Sequence, residues 1–143
     1  MNQNICESIV NGYSKKPKIF HGIEDTPCYY VDEDIIHLPD TTDLEYYYRD
    51  FFHELIHSTG HPSRLNRETI QTKNYLDSSK DCGTVEELTA TFGEMVLCHL
   101  AEIPTERLKK TITECFQYYD IKQNSVRSAQ KYMCDAVLYI LKN

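Results

Sequence analysis

The chain of 143 residues has the length and apolar content of one folded domain, which we expect to span residues 1–143. Its formal net charge of −7 argues against a long-range attraction to nucleic acid or to an acidic membrane surface. No signal peptide or bilayer-length apolar stretch is visible, so we expect a cytoplasmic location. The six cysteines form no C-x-x-C pair and are expected to be free thiols.

The first forty residues carry signals for a short helix and a strand pair. Residues 5–10 are predicted to form the helix, which ends near Gly12. Two apolar runs, at residues 28–31 and 35–38, flank the acidic residues 32–34. This pattern predicts a β-hairpin with an acidic turn.

A long amphipathic helix should follow the hairpin. Thr42 and Glu45 have the spacing of a capping box, which marks a helix start. Gly60 is the expected stop, and Pro62 prevents the helix from continuing. The apolar residues at helical spacing, which should face the core, are Leu44, Tyr48, Phe51 and Leu55.

The rest of the chain is predicted to be helical after a polar loop at residues 61–83. One helix should run over about residues 84–101, and two more should follow Pro104. Together with the hairpin, these elements predict a mainly helical α+β fold. The expected buried stripe of the first of these helices consists of Val85, Leu88, Phe92, Val96 and Leu100.

The stretch His-Glu-Leu-Ile-His at residues 53–57 carries the chemistry. Positions four apart lie on the same face of an α-helix, so His53 and His57 can offer two imidazoles to one metal ion. Glu54 lies one residue on, where it can take a proton from a zinc-activated water and pass it to a leaving nitrogen. The H-E-x-x-H spacing therefore predicts one zinc ion per chain, with Glu54 as the general base.

A catalytic zinc site needs a third protein ligand. The pattern H-E-x-x-H-x-x-G-x-x-H would supply a histidine, but that position holds Ser63, and His61 comes two residues early. A carboxylate from the following helix is the other choice, and both Glu86 and Glu87 fit. Glu87, thirty residues after His57 (87 − 57), is the predicted ligand, and Glu86 stays open as the alternative.

The segment around these glutamates also has a purely structural interpretation. Thr84-Val85-Glu86-Glu87 is itself a capping-box sequence, and acidic residues are favoured in the first turn of a helix. Asp77 and Glu94 are weaker candidates for the third ligand.

Several other polar residues could support the site without binding metal. Asp50, one turn before the first histidine, could orient an imidazole or remain solvated. Arg64 and Arg67 could bind a substrate carboxylate, but we expect them to pair with acidic neighbours. His61 could donate a hydrogen bond to an oxyanion, or it could merely cap the helix.

The run HELIHSTGHPSRLNR, residues 53–67, resembles the zincin-like metallopeptidase domain of ArdC-type antirestriction proteins and of phage polyvalent proteins. The run EELTATFG, residues 86–93, is similar to the family's E-E-L-V-A-E-hydrophobic-G segment. The resemblance implies a zincin-like fold with a zinc cofactor. It also implies the ligands and the general base named above, which are His53, His57, Glu87 and Glu54. Thr91 departs from the family, which usually has a carboxylate at that position.

ArdC-type proteins also carry an N-terminal single-stranded-DNA-binding domain, and no segment here is long or basic enough to match it. We therefore expect a metallopeptidase domain that stands alone, binds no nucleic acid directly and contacts no membrane. The leading hypothesis is a zinc-dependent peptidase that serves a mobile element or phage by acting on a protein of the host or of a competing element. The alternative is a non-catalytic acidic protein, stabilised by zinc or imitating DNA, that inhibits a host nuclease or restriction factor.

Overall fold

The computed structural model describes residues 1–23, 25–70, 81–118 and 121–143. Within these residues the chain forms five helices and a small sheet near its start, which confirms the predicted mainly helical α+β class. The elements in chain order are α1 (Gln3–Gly12), β1 (Lys18–His21), β2 (Cys28–Tyr30), β3 (Ile35–Leu38), α2 (Leu44–Thr59), α3 (Asp81–Leu100), α4 (Glu106–Tyr118) and α5 (Gln123–Lys142).

The described sheet has three strands in the order β1-β3-β2. The predicted hairpin is confirmed, because β2 and β3 pair antiparallel with Tyr29 opposite Ile36. Asp34 closes the turn in the left-handed region, with a φ of 53°. Strand β1 was not predicted, and it adds a third strand that pairs parallel to β3, with Ile19 opposite Ile36. Its four residues are too few to show a period of two, so only the pairing reveals the strand.

Helix α2 begins one residue later than a cap at Thr42 would place it. The N-cap is Asp43, whose carboxylate accepts hydrogen bonds from the backbone N–H groups of Glu45 and Tyr46, both at 3.1 Å. The predicted capping box on Thr42 is therefore wrong, although the helix is confirmed. Its end at Thr59, directly before Gly60, is also confirmed.

The apolar face of α2 packs on the core as predicted, with one exception. Tyr48, Phe51 and Leu55 are buried, whereas Leu44 is exposed because it lies at the first position of the helix, beyond the core. The opposite side of the helix is left for its two histidines. The sheet, α3 and α5 all contact α2, and the carboxylates that meet its two histidines come from α3.

Helix α3 begins at Asp81, three residues before the predicted start, so the prediction of a loop through residue 83 is wrong there. Val85 and Leu88 are buried as predicted and pack with Ala129 of α5. Leu100 is exposed, because it lies on the outer side of the last turn of α3, whose Leu97 and Cys98 are buried in the core. The early start moves Glu87 into the second turn, away from the N-terminal capping position that Thr84 suggested.

Helices α2 and α3 approach closely at Gly93. A Cβ atom built there would lie 2.5 Å from Cδ1 and 2.6 Å from Cγ1 of the buried Ile56. Only a glycine leaves room for Ile56 at this spacing. The close approach brings the carboxylates of α3 within reach of the histidines of α2.

Two further expectations from the sequence concern membrane-spanning helices and the cysteines. Among the helices that the structure describes, none combines the length and the apolar composition of a membrane span. The four cysteines with described side chains are free thiols, as predicted, and they are Cys6, Cys28, Cys98 and Cys134.

Candidate metal centre

Three side chains aim donor atoms at one point between α2 and α3. The Nε2 atoms of His53 and His57 are 3.2 Å apart. The Glu87 carboxylate lies 3.5 Å from each of them, through Oε2 to His53 and through Oε1 to His57. Tetrahedral ligands about 2.1 Å from a zinc ion would be about 3.4 Å apart, so this triangle has the dimensions of a three-ligand site.

The chemistry of the three groups also fits a cation. Glu87 Oε1 is buried without a hydrogen-bond partner in the described part of the chain, a costly arrangement that a bound cation would relieve. Burial by itself would lower the pKa of His53, but hydrogen bonds with Glu87 and Glu94 outweigh it and raise the pKa well above its usual value. The centre is therefore electronegative, and two histidines with one carboxylate suit zinc.

Glu54 lies beside this triangle and outside it. Its side chain is buried, and the backbone N–H of Tyr29 on strand β2 donates a hydrogen bond to its carboxylate. Burial raises the pKa of Glu54, and the nearby His57 and His53 counteract only part of that rise. A carboxylate with a raised pKa is a stronger base, which suits a group that must take up a proton near neutral pH.

Glu86 lies on the far side of the His57 ring from Glu87. Its Oε1 atom is 3.0 Å from His57 Nδ1, and the carboxylate is fully buried. Because Glu86 and Glu87 are adjacent on a helix, their side chains point about 100° apart, and the two straddle the imidazole. Glu87 therefore faces Nε2 and Glu86 faces Nδ1. The ligand role of Glu87 itself remains a prediction.

Glu94 occupies the same position on His53. Its Oε2 atom is 3.2 Å from His53 Nδ1, and its Oε1 atom is 3.4 Å from the Arg49 guanidinium. Glu94 therefore contacts the nitrogen that faces away from the donor triangle, in agreement with the expectation that Glu94 is not the third ligand. Glu94 follows Glu87 by seven residues, two helical turns, and that spacing is the sequence signal that could have predicted its role.

Asp50 does not take the supporting role considered for it, and Thr91, which stands where the family usually has a carboxylate, bonds within its own helix. Asp50 Oδ2 is buried without a hydrogen-bond partner among the described residues, and burial together with the charge of Glu94 raises its pKa to about 6. The Thr91 hydroxyl donates to the carbonyl of Glu87, 2.8 Å away within α3. Glu94 is thus the residue that contacts His53 Nδ1.

The remaining candidates lie in the turns after α2. The Nδ1 atom of His61 is 2.7 Å from the Ser63 hydroxyl and accepts from the Ser63 N–H, so it is engaged within its own turn. Arg64 pairs with Asp34, and Arg67 pairs with Glu86, which confirms that both arginines bind acidic neighbours. Asp77 lies outside the described residues.

The fold and the three-residue site are those of a zincin-like, metal-binding domain. Residues 7–126 match the family described as zincin-like metallopeptidase, and the chain belongs to that family. This match confirms the resemblance inferred from the helix motif.

Known proteins add relatives to this assignment. An Escherichia coli protein, DNA primase TraC, is 39% identical over 82 residues, which are 55% of this chain and 7% of the relative. The antirestriction protein ArdC of plasmid R388 has a similar fold. Its Mn(II)-bound structure gives a TM-score of 0.63 at 20% identity, over all of this chain and 54% of that one. Its metal-free structure gives 0.60 at 23% identity, over 95% and 50%. The chain thus spans about half the length of ArdC and a small part of the primase.

Proposed function

We propose that this protein is a zinc-dependent metallopeptidase in which His53, His57 and Glu87 bind one zinc ion and Glu54 is the general base. The observation that carries the proposal is the triangle of donor atoms with a buried carboxylate beside it. A purely structural zinc site usually has four protein ligands, often cysteines, and has no use for an adjacent base.

Each residue has a defined task in peptide hydrolysis. When bound, zinc supplies an acidified water molecule and polarises the scissile carbonyl. Glu54 takes a proton from the attacking water and delivers it to the leaving nitrogen. The Tyr29 N–H holds the Glu54 carboxylate in place during both transfers. Glu86 and Glu94 hold the Nδ1 atoms of the histidines, which leaves both Nε2 atoms directed at Glu87.

Zinc is the metal we propose, because two histidines and one glutamate form a common catalytic zinc set. Imidazole and carboxylate ligands also accept manganese, and the related ArdC structure holds Mn(II). Competition between the two ions for the metal-free protein decides the question. We expect zinc to bind more tightly, since it follows manganese in the usual affinity order.

The substrate that we propose is a protein of the host or of a competing element, cut in the service of a mobile element or phage. The similarity to ArdC, which is described as an antirestriction protein, supports this proposal. The net charge of −7 makes the chain a poor partner for nucleic acid, so we do not extend the proposal to DNA.

The test is cleavage of a diverse peptide library by the zinc-loaded full chain, read by mass spectrometry. Glu54→Gln should keep the metal and lose about 10²–10⁴-fold in rate. Glu45→Gln, an exposed glutamate of the same helix, is the matched control and should cleave like the wild type. Equal rates in Glu54→Gln and wild type would refute the assigned base. A folded, zinc-loaded wild type that cuts no peptide would favour the non-catalytic binding protein.

A further inference from the structure

We infer that Arg67 is a positioning residue for the metal centre, because it holds Glu86 against the imidazole of His57. Gly60 is its necessary companion, because it leaves the space that the guanidinium occupies. This inference rests on the proposed role of His57 as a metal ligand. It assigns a task to the turn after α2, which contributes none of the three donor atoms.

The Arg67 side chain is almost completely buried and contacts Glu86 through two nitrogen atoms. Its Nε atom donates to Glu86 Oε2 at 2.8 Å, and its Nη2 atom donates to Oε1 at 2.5 Å. Such a two-point contact fixes the plane of a carboxylate as well as its position. The Thr69 hydroxyl donates to the same Oε2 atom at 2.5 Å. Glu86 is thereby held from the side opposite to His57.

The same guanidinium also binds the end of α2. Nη1 donates to the Thr59 hydroxyl at 2.8 Å, and Nη2 lies 3.1 Å from the carbonyl oxygen of Ile56 and 3.3 Å from that of His57. A positive charge at a helix C-terminus also complements the helix dipole. Arg67 therefore ties the backbone that carries His57 to the α3 carboxylate that orients its ring.

A fixed Glu86 has a direct consequence for His57. A carboxylate 3.0 Å from Nδ1 favours the tautomer with the proton on Nδ1, which leaves the Nε2 lone pair for a metal. Lysine at position 67 would keep the charge but could not make the two parallel hydrogen bonds. Loss of the guanidinium should therefore loosen Glu86 and weaken the preference for this tautomer.

Gly60 is required for space and not for backbone conformation. Its φ of −73° is one that any residue adopts. A Cβ atom at this position would lie 2.9 Å from both Cζ and Nη2 of Arg67, and 2.9 Å from Cγ2 of Ile70. Gly60→Ala thus displaces the guanidinium while every polar group of the network stays in the chain.

Arg64 provides a matched control three residues earlier. The two arginine side chains are similarly buried, with 4% of Arg64 and 2% of Arg67 exposed. Arg64 binds the carbonyl of Ser58 at 2.7 Å, the hydroxyl of Tyr29 at 3.1 Å and the carboxylate of Asp34. None of its described hydrogen bonds reaches Glu86 or a predicted ligand.

The experiment compares wild type, Arg67→Lys, Gly60→Ala and Arg64→Lys as metal-free full chains labelled with ¹⁵N-histidine. At a pH where imidazoles are neutral, long-range ¹H–¹⁵N spectra report which nitrogen of His57 carries the proton. We expect the Nδ1–H form in wild type and in Arg64→Lys, and a mixture in the other two variants. Zinc dissociation constants from chelator competition should rise about 10–100-fold in Arg67→Lys and stay unchanged in Arg64→Lys.

The possible outcomes test the role of Arg67 and the proposed function independently of each other. Folded Arg67→Lys and Gly60→Ala proteins with the wild-type tautomer and zinc affinity would overturn the role of Arg67. Equal effects in Arg64→Lys would also overturn it, because they would indicate general destabilisation. If the wild type bound no zinc, the proposed function would fail, and the tautomers alone would decide whether Arg67 positions His57.

Discussion

His57 and His53 lie one turn apart on α2, yet the carboxylates on their Nδ1 atoms are held very differently. Glu86, on His57, receives two hydrogen bonds from Arg67 and one from a threonine hydroxyl. Glu94, on His53, has an arginine no closer than 3.4 Å. The His57 side chain is 3% exposed, and that of His53 is 21% exposed.

This difference divides the centre into an inner half, His57 with Glu86 and Arg67, and an outer half, His53 with Glu94 and Arg49. The hydrogen bonds of the inner half are already in place without a metal. We therefore expect metal binding to cost little conformational entropy there. The outer half has longer contacts and greater access to solvent, so we predict that it adjusts more than the inner half when a metal binds. Glu87, 42% exposed, contacts both histidines and joins the two halves.

The largest expected effect comes from removing one carboxylate charge from each half. Glu86→Gln leaves the buried Arg67 without its counter-charge, and loss of one partner of a buried pair costs about 3–5 kcal/mol. Glu94→Gln should cost about 1 kcal/mol, the net value of an ordinary hydrogen bond. Urea unfolding of the metal-free proteins measures both. Equal losses would remove the distinction between the inner and outer halves.

A smaller effect is expected where the two helices approach. Gly93→Ala drives a Cβ into Ile56, next to His57, and overpacking of this kind costs about 1–3 kcal/mol. Replacing a helical glycine returns about 1 kcal/mol, so the net loss should be up to about 2 kcal/mol. In an Ile56→Ala background the same change should cost nothing, because the clash is gone. Unfolding curves for wild type, the two single variants and the double variant measure this coupling. If Gly93→Ala cost as much stability in the Ile56→Ala background as in wild type, the packing argument would be contradicted.

The smallest effect is expected at Asp34, which binds Arg64 and Tyr29 away from both halves. This residue should make the stability of the folded protein depend on pH. Burial alone would raise the pKa of Asp34, but hydrogen bonds from Arg64 and Tyr29 outweigh it and lower the pKa. A lowered folded-state pKa stabilises the protein above the unfolded value of about 3.9, and that stability is lost as the pH falls.

Asp34→Asn should therefore be less stable than wild type near neutral pH, and the gap in stability should be narrower at about pH 3. The change in the gap should be below about 1 kcal/mol, because the carboxylate is partly exposed and screened. Urea unfolding at the two pH values measures it. A gap that stays constant between them would show that the Asp34 charge does not matter.

The sequence was sufficient for the features that depend on local spacing. Two histidines four residues apart lie on one helix face in any helix, and an apolar run on each side of an acidic turn pairs with its neighbour. The family assignment followed from the same motif. Strand β1 lacked such a signal, because its four residues are defined only by a partner seventeen positions away (35 − 18).

The contact of Glu86 with the His57 imidazole could not be predicted, because it depends on the rotation of α3 about its own axis. A start at Thr84 would make Glu87 a capping residue, whereas the observed start at Asp81 places it in the second turn. Adjacent glutamates on a helix differ by about 100° in direction, and only packing against α2 assigns one to Nε2 and the other to Nδ1. The close contact of Gly93 with Ile56 fixes that packing.

The most direct test of the proposed site is the zinc content of the purified, metal-supplied chain in four forms. Wild type and Glu54→Gln should each hold about one zinc ion, since Glu54 lies outside the donor triangle. His57→Ala and Glu87→Ala should hold much less, because each loses one of the three donors. A folded wild type without zinc, or a Glu87→Ala protein that retains a full equivalent, would contradict the account.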